Sequence, residues 1–381
     1  MNLRTIEEAE IKKGQRVLVR VDFDVAMRDG RVDEDFRLRA ILPTVRFISK
    51  KRGRIRFIAH LDRPGGKVIP AYSFKKILGR LEKLLKRRVV FIQDPFSEKL
   101  LAAYNSSEDI LLLENMRFWS GEEANDEGFA KSIGRWGDIY INDAFANSHR
   151  KHASMVSLAK ILPSFAGLAL EGEVRSLSAV SQNPAKPFYA ILGGAKLETK
   201  LPLIKVLLDI ADGVLIGGAL VSSVRDFVVG RNLVKSGITK KEMGDLKSNK
   251  LHMPSDVKVA RNSNRKGRIT DINKLSAGEV VLDIGPETVK TFVSLLKDAK
   301  TVVWNGPLGL AEKKEFSAGT VGIAKGLQRI EAFKLVGGGD TIAILRNYKV
   351  LKGFNHISLG GGAMLDFLSG SKLPGLEILK K

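Results

Sequence analysis

The stretch Pro187-Phe188-Tyr189-Ala190-Ile191-Leu192-Gly193-Gly194-Ala195-Lys196-Leu197-Glu198-Thr199-Lys200 decides the fold. An apolar run that reads as a buried strand stops at two glycines, and residues 201–210 then repeat leucine and isoleucine at helical spacing. Strand, Gly-Gly and helix make a turn where backbone can approach a ligand closely, because neither glycine carries a Cβ. Lys196 and Lys200 lie four apart and would share one face of that helix. Free N–H groups at a helix start, with two ammonium groups beside them, suit a polyanion. An ordinary strand-to-helix turn with two solvated lysines fits the same residues, so the rest of the chain has to decide.

The pattern recurs on both sides. In the first half, residues 16–25, 54–59, 89–93, 110–113 and 139–141 read as strands, and residues 36–49, 73–86 and 127–134 as helices between them. Such alternation argues for a parallel sheet with helices on both faces, whose ligand groups sit past the C-terminal ends of the strands. Those ends carry Asp22 and Asp24, His60 and Arg63, Glu114, Asn115 and Arg117, then Asn142, Asp143, His149, Arg150 and His152. Arginines and histidines collected on one rim make an anion site for a small, multiply charged molecule. In the second half, apolar runs end at Gly193-Gly194, Gly217-Gly218, Gly285-Pro286, Asn305-Gly306-Pro307, Gly337-Gly338-Gly339-Asp340-Thr341 and Gly360-Gly361-Gly362. Their spacing is too irregular for a solenoid, and one parallel sheet with a glycine-paved edge is expected from all six.

At 381 residues the chain exceeds the usual size of a single core, so two domains are expected. Residues 167–187 hold the break: a helix-like run to Ser181, then Gln182-Asn183-Pro184-Ala185-Lys186-Pro187 as a loop. The expected division is residues 1–167, with a tail of about 363–381 packing back on them, a hinge at 168–186, and a second domain at 187–362. Absence of cysteine excludes disulfides, thiolate metal sites and a cysteine nucleophile. Residues 1–13 are charged and no apolar run reaches membrane length, so a soluble cytoplasmic protein without a membrane partner is expected. Net charge is +21 and pI about 9.9, which favours anionic partners without choosing among them. Basic residues at 75–88 lie opposite a stripe of Phe74, Ile77, Leu78, Leu81, Leu84 and Leu85, as on a solvated helix face, and no aromatics interleave them for nucleic acid.

Gly337-Gly338-Gly339-Asp340-Thr341 lets backbone N–H groups face phosphate oxygens, with Thr341 able to cap the next helix and Asp340 placed to hold a metal ion. Walker A, protein-kinase and Rossmann fingerprints are all missing. Val19-Arg20-Val21-Asp22-Phe23, Ala59-His60-Leu61 with Arg63-Pro64, Glu114-Asn115-Met116-Arg117-Phe118, Gly193-Gly194-Ala195-Lys196, Trp304-Asn305-Gly306-Pro307, the Gly337 loop, and Gly360-Gly361-Gly362-Ala363 with Leu373-Pro374-Gly375 resemble the phosphoglycerate kinase family in its order.

The resemblance implies a two-domain α/β enzyme, each domain a mostly parallel sheet with helices on both faces, joined by a helical hinge. It implies 3-phosphoglycerate or 1,3-bisphosphoglycerate on Asp22, Asp24, Arg37, His60, Arg63, Arg117 and Arg150. It implies ADP or ATP with Mg²⁺ on Gly194, Lys196, Lys200, Gly218, Asn305, Glu312, Gly338, Gly339, Asp340 and Thr341, with Asp340 the carboxylate near the metal. Lys200 would contact nucleotide phosphates, Lys196 would point to the transferring group, and Glu312 would meet the ribose. Phosphoryl transfer needs in-line positioning and neutralised charge, a role that falls to Arg37, Lys196, Mg²⁺ and N–H groups near Gly361 and Gly362. A monomer is implied, with closure about the hinge, and nucleic acid is not an expected partner. Zinc at His149 and His152 is not expected either, for want of a third spaced ligand.

Asp24 stands where the family has asparagine, Ala26 for a proline, Asp62 for a glycine, Ala219 for a third glycine and Leu359 for a threonine. A carboxylate at Asp24 repels an anionic substrate, so weakened affinity is expected. The alternative is a catalytically weakened relative with an anion- or nucleic-acid-binding role.

Overall fold

In the first half, the apolar segments are fully covered parallel strands. β1 (Arg16–Arg20), β2 (Arg54–Ile58), β3 (Val89–Ile92), β4 (Ile110–Leu113), β5 (Ile139–Asn142) and β6 (Ser164–Ala166) form one sheet in the order β3-β4-β2-β1-β5-β6. Every neighbouring pair is parallel. The computed structural model describes residues 1–28, 30–195, 197–228 and 248–381. Side chains alternate across the sheet, so Val17 and Val19 join the core on one face while Leu18 joins that on the other. Helices α1 (Phe36–Ala40), α2 (Leu42–Lys50), α3 (Leu78–Leu85), α4 (Glu98–Tyr104), α5 (Ser120–Glu123), α6 (Glu127–Gly134) and α7 (Ser157–Ile161) connect the strands. The single helix expected at 36–49 is broken at Ile41, because Pro43 has no N–H to carry the first helix's bonding onward. The expected helix at 73–86 starts as a 3-10 turn, Phe74–Lys76, before α3.

The chain divides into two units, Met1–Arg175 with Lys372–Lys381, and Ser176–Ser371. The division falls inside α8 (Leu168–Ser181). In the second unit lie β7 (Phe188–Leu192), α9 (Leu197–Ile210), β8 (Gly213–Ile216), α10 (Leu220–Val228), β9 (Leu251–His252), β10 (Asp256–Ala260), β11 (Arg268–Asp271), β12 (Val280–Ile284) and α11 (Pro286–Leu296). They are followed by β13 (Thr301–Asn305), α12 (Ala318–Leu327), β14 (Phe333–Gly337), α13 (Gly339–Asn347), β15 (His356–Ser358) and α14 (Gly362–Leu368). α15 (Pro374–Glu377) belongs to the first unit.

The second unit's parallel sheet runs β9-β8-β7-β13-β14-β15. Five of the six glycine-terminated segments lie in it. The sixth corrects the expectation: β12 pairs antiparallel with β10 in a separate sheet of order β11-β10-β12. Its neighbours alternate polar and apolar residues, Asp-Val-Lys-Val-Ala and Arg-Ile-Thr-Asp, and such strands suit a sheet with one wet face, not a buried parallel layer. Both parallel sheets place the segments after their strands on one edge, and the candidate residues sit there.

Candidate functional site

In the first unit, the strand ends form a rim around a cavity of about 550 Å³ lined by Asp24, Arg63, Arg117, Arg150, Tyr72 and Lys76 among others. Arg117 follows β4 on a 3-10 turn whose start is capped by Asn115 Oδ1 accepting from Arg117 N at 3.1 Å. Its Nη1 donates to Asp62 O at 2.7 Å and its Nε lies 3.1 Å from Glu123 Oε1. Nη2 is buried with no partner among the described residues, as is Nε of Arg150. Burial, and then the neighbouring Arg150, push the Arg117 guanidinium down to about 10. Buried donors without acceptors are costly, and an anion in the cavity would satisfy them.

Arg37, on α1, donates to Asp22 Oδ2 at 2.6 Å, and that carboxylate holds its guanidinium above the ordinary value. Asp24 bridges two parts of the rim. Its Oδ1 accepts from Asp62 N at 2.9 Å, and its Oδ2 lies 4.0 Å from His60 Nε2. Asp62 takes φ +56°, the left-handed backbone that aspartate tolerates better than most residues. Burial, then Arg20, hold His60 well below the imidazole range, so it is neutral at pH 7. His152 is pushed down to about 3 by burial and by Arg117.

Two rim residues serve as ties. Glu114 accepts from Ser73 Oγ at 2.6 Å and Phe74 N at 3.0 Å, and Asn115 Nδ2 donates to Leu61 O and Tyr72 O. They fasten the loop that carries Arg63. Three residues of the site had no sequence signal as a set: Arg20, Glu122 and Ser154 are buried and hydrogen-bonded to one another across long separations.

In the second unit, the turns after β7, β8, β13 and β14 interlock. Gly194 N donates to Pro307 O at 2.9 Å, Gly218 N to Leu308 O at 2.7 Å, and Leu220 N to Gly194 O at 2.8 Å. Gly306 takes φ +93°, and a Cβ there would overlap Gly193 O, so only glycine allows the two turns to touch. Thr341 Oγ1 accepts from Gly306 N at 3.0 Å, so it ties this turn to α13 instead of capping that helix. Gly338 precedes α13 at φ +97°, and Gly339 and Asp340 are exposed in its first turn.

Lys200 is buried, with its ammonium on Gly193 O, on Asn305 Oδ1 at 3.0 Å and on Asn305 O at 3.3 Å. Burial lowers it to about 8, opposed by the charge of Asp340. Glu312 is exposed in the turn after β13, and Gly361 and Gly362 open α14. Lys196 lies outside the described residues.

A cavity of this size, ringed by guanidinium groups and backed by neutral histidines, suits a small phosphorylated acid. The second unit offers glycine turns and a buried ammonium to a phosphate chain. Together they define an α/β phosphotransferase. Known proteins are similar over the whole chain. A family profile described as phosphoglycerate kinase matches residues 6–371. Phosphoglycerate kinases of Coprothermobacter proteolyticus and Pelotomaculum thermopropionicum are 40% and 38% identical, over 100% of this chain and 99% of each relative. The solved phosphoglycerate kinase of Pyrococcus horikoshii OT3 superposes with TM-score 0.87 at 30% identity, covering 99% of this chain and 98% of its own. That of Coxiella burnetii gives 0.83 at 32%, with the same coverage.

The chain belongs to the phosphoglycerate kinase family. Its reaction is reversible phosphoryl transfer between 1,3-bisphosphoglycerate and ADP, giving 3-phosphoglycerate and ATP in glycolysis. No helix among the described residues is long and apolar enough to cross a membrane.

Proposed function

We propose that the first-unit cavity takes 3-phosphoglycerate or its 1,3-bisphosphate, and that the turns of the second unit take the nucleotide. The observation that carries this is the unpartnered, buried Nη2 of Arg117 in a cavity that Arg63 and Arg150 also line. Arg63, Arg117 and Arg150 bind the acid's phosphate, while Asp22, Asp24 and His60 lie beside its glycerate end. Arg37 and Lys196, with N–H groups near Gly361 and Gly362, neutralise the transferring phosphoryl group.

Gly194, Gly218, Gly338, Gly339 and Thr341 shape the phosphate turns of the nucleotide site, Lys200 contacts phosphates, Asn305 lies near the transferred group, and Glu312 takes the ribose. Asp340 would hold Mg²⁺. It is an exposed carboxylate in the first turn of α13, and one carboxylate completed by substrate phosphates is the donor set this hard cation prefers. Bound there, the metal supplies charge neutralisation on the phosphates. By the family resemblance the protein works as a cytoplasmic monomer, with residues 168–186 as the hinge. Arg37→Ala tests the assignment: turnover with 3-phosphoglycerate and MgATP should fall at least about a hundredfold. Calorimetric binding of the nucleotide should stay near that of the unaltered protein. Near-normal turnover in that variant would remove Arg37 from the reaction.

A further inference from the structure

Arg20 ends β1 and is fully buried, yet among the described residues it meets no carboxylate directly. Its Nε donates to Ser154 Oγ at 2.9 Å, Nη1 to Val21 O, and Nη2 lies 2.7 Å from His60 Nδ1. A guanidinium cannot accept a hydrogen bond. His60 Nδ1 is therefore the acceptor, and the one proton of the neutral ring sits on Nε2. Ser154 Oγ gives its hydrogen to Glu122 Oε1 at 2.6 Å, which leaves its lone pairs to face Arg20. Ser154 N donates to Glu122 Oε2 at 2.9 Å, and Tyr140 OH donates to Ser154 O at 2.7 Å, so the serine is held at both ends. Glu122 is fully buried; burial raises its carboxyl, and the Arg20 charge beyond the one intervening hydroxyl opposes that rise.

We propose that Glu122, acting through Ser154 and Arg20, holds His60 in its Nε2–H tautomer and so presents an imidazole N–H donor at the anion rim. The presenting atom, Nε2, lies 4.0 Å from Asp24 Oδ2, a carboxylate that lines the cavity. Glu122 and Ser154 touch no substrate in this arrangement; they are positioning residues. What the donor meets rests on the reading of the cavity as the 3-phosphoglycerate site. The tautomer itself does not.

Proton–nitrogen correlation spectra of ¹⁵N-histidine-labelled full-length protein read the tautomer directly, with His60→Gln assigning the ring among the five histidines. The unaltered protein should show the Nε2–H pattern for His60. Ser154→Ala removes the acceptor that aims Arg20 Nε, so the guanidinium is no longer held against His60 Nδ1 and the Nδ1–H form should enter, as it should in Glu122→Gln, while Ser154→Thr should keep the original pattern. In Ser154→Ala the KM for 3-phosphoglycerate should rise about tenfold, for loss of one aligned donor. The KM for MgATP should stay within about twofold, since no nucleotide contact changes. An Nδ1–H ring in the unaltered protein, or an unchanged pattern in Ser154→Ala, overturns the relay. A shifted tautomer with an unmoved 3-phosphoglycerate KM supports the relay and removes His60 from the acid site. Glu122→Gln empties no volume but perturbs a buried charge; if it fails to fold, Ser154→Ala and Ser154→Thr decide.

Discussion

Asp24, which stands where the family resemblance leads to an expected asparagine, is tied into the rim by both of its neighbours there. One carboxylate oxygen is used up in holding Asp62 N, and Asp62 in turn holds Arg117 through its carbonyl. Asparagine keeps that acceptor and replaces the other oxygen by a donor, without a net charge beside the phosphorylated acid. Asp24→Asn should therefore lower the KM for 3-phosphoglycerate about three- to tenfold with kcat little changed; an unchanged or higher KM would mean that the arginines already cancel the carboxylate. Lys200 carries a second prediction. Its ammonium is lowered to about 8 by burial, so as pH rises through that value the charge is lost and a phosphate partner with it. The KM for MgATP should climb above about pH 8, and Lys200→Arg, which does not titrate there, should flatten the rise even if it binds less well. A rise of equal steepness in both proteins would put the titration elsewhere. The arginines that line the first-unit cavity, Arg63, Arg117 and Arg150, were legible as candidates because they follow apolar strands. Lys200 was legible as a candidate but not as a buried residue, since its carbonyl partners come from turns that lie 7 and 105 residues away. Glu122 and Ser154 were illegible for the same reason: a carboxylate and a serine 32 residues apart look like ordinary surface polarity until the fold brings them together.

At the level of elements, the period of apolar residues carried most of the architecture. β1, β4 and β5 hold uninterrupted apolar runs because both faces of a parallel sheet are covered, and such runs stand out from any surface, whereas β2 is broken by Arg56, itself buried. Basic residues at helix ends also find an element-level cause. Lys50 and Lys83 lie in the last turns of α2 and α3, and Arg52 and Lys86 take left-handed backbone just beyond them, where cations meet helix carbonyls. β12 misleads because Val280–Ile284 is as apolar as its parallel counterparts and also ends in glycine; only its partners' alternation betrays the antiparallel sheet. Buried Asp283 on that strand shows what the small sheet does. It accepts from Gly319 N at 2.9 Å and Ile284 N at 3.0 Å, and so fixes the start of α12 to the strand. Burial, against those backbone bonds, pushes its carboxyl up from 3.8 to about 7. Between those values the folded state keeps a proton that the unfolded chain has released, so Asp283 adds stability at low pH that is lost as pH rises through about 7. Asp283→Asn cannot titrate. Its melting temperature should fall less between pH 5 and pH 8 than that of the unaltered protein, while its stability at pH 5 drops by about 1–3 kcal/mol for the lost acceptor. Equal falls in the two proteins would show that Asp283 keeps an ordinary carboxyl.

For the molecule as a whole, the first unit is closed by both ends of the chain. Leu3 bridges Lys380 antiparallel, Arg4 N donates to Leu379 O at 2.9 Å, and Arg4 Nη2 to Ile378 O at 2.6 Å. Leu373, Leu376 and Leu379 are buried, so the ten residues 372–381 add apolar burial to the first unit. The tail also reaches the anion rim. Gly375 N donates to Ser148 O at 2.9 Å, and Asn142 Nδ2 to Gly375 O at 3.2 Å, which pins the segment between β5 and Arg150. Burying each leucine is worth about 1.5–3 kcal/mol, and a domain holds only about 5–15 kcal/mol in reserve. Removing residues 372–381 should therefore unfold or loosen the first unit selectively. Hydrogen exchange should show β1 and β5 losing protection while β7 and β13 keep theirs, because no residue of the tail belongs to the second unit. Gly375→Ala is the milder form. A Cβ at that position would meet Ser148 Cα at 2.9 Å, so the rim segment must shift while the leucines stay buried. That variant should raise the KM for 3-phosphoglycerate about threefold or more, with the KM for MgATP unchanged and β1 still protected. If truncation weakened both units equally, the two cores would be one cooperative structure and the tail's effect on the rim would lose its local explanation.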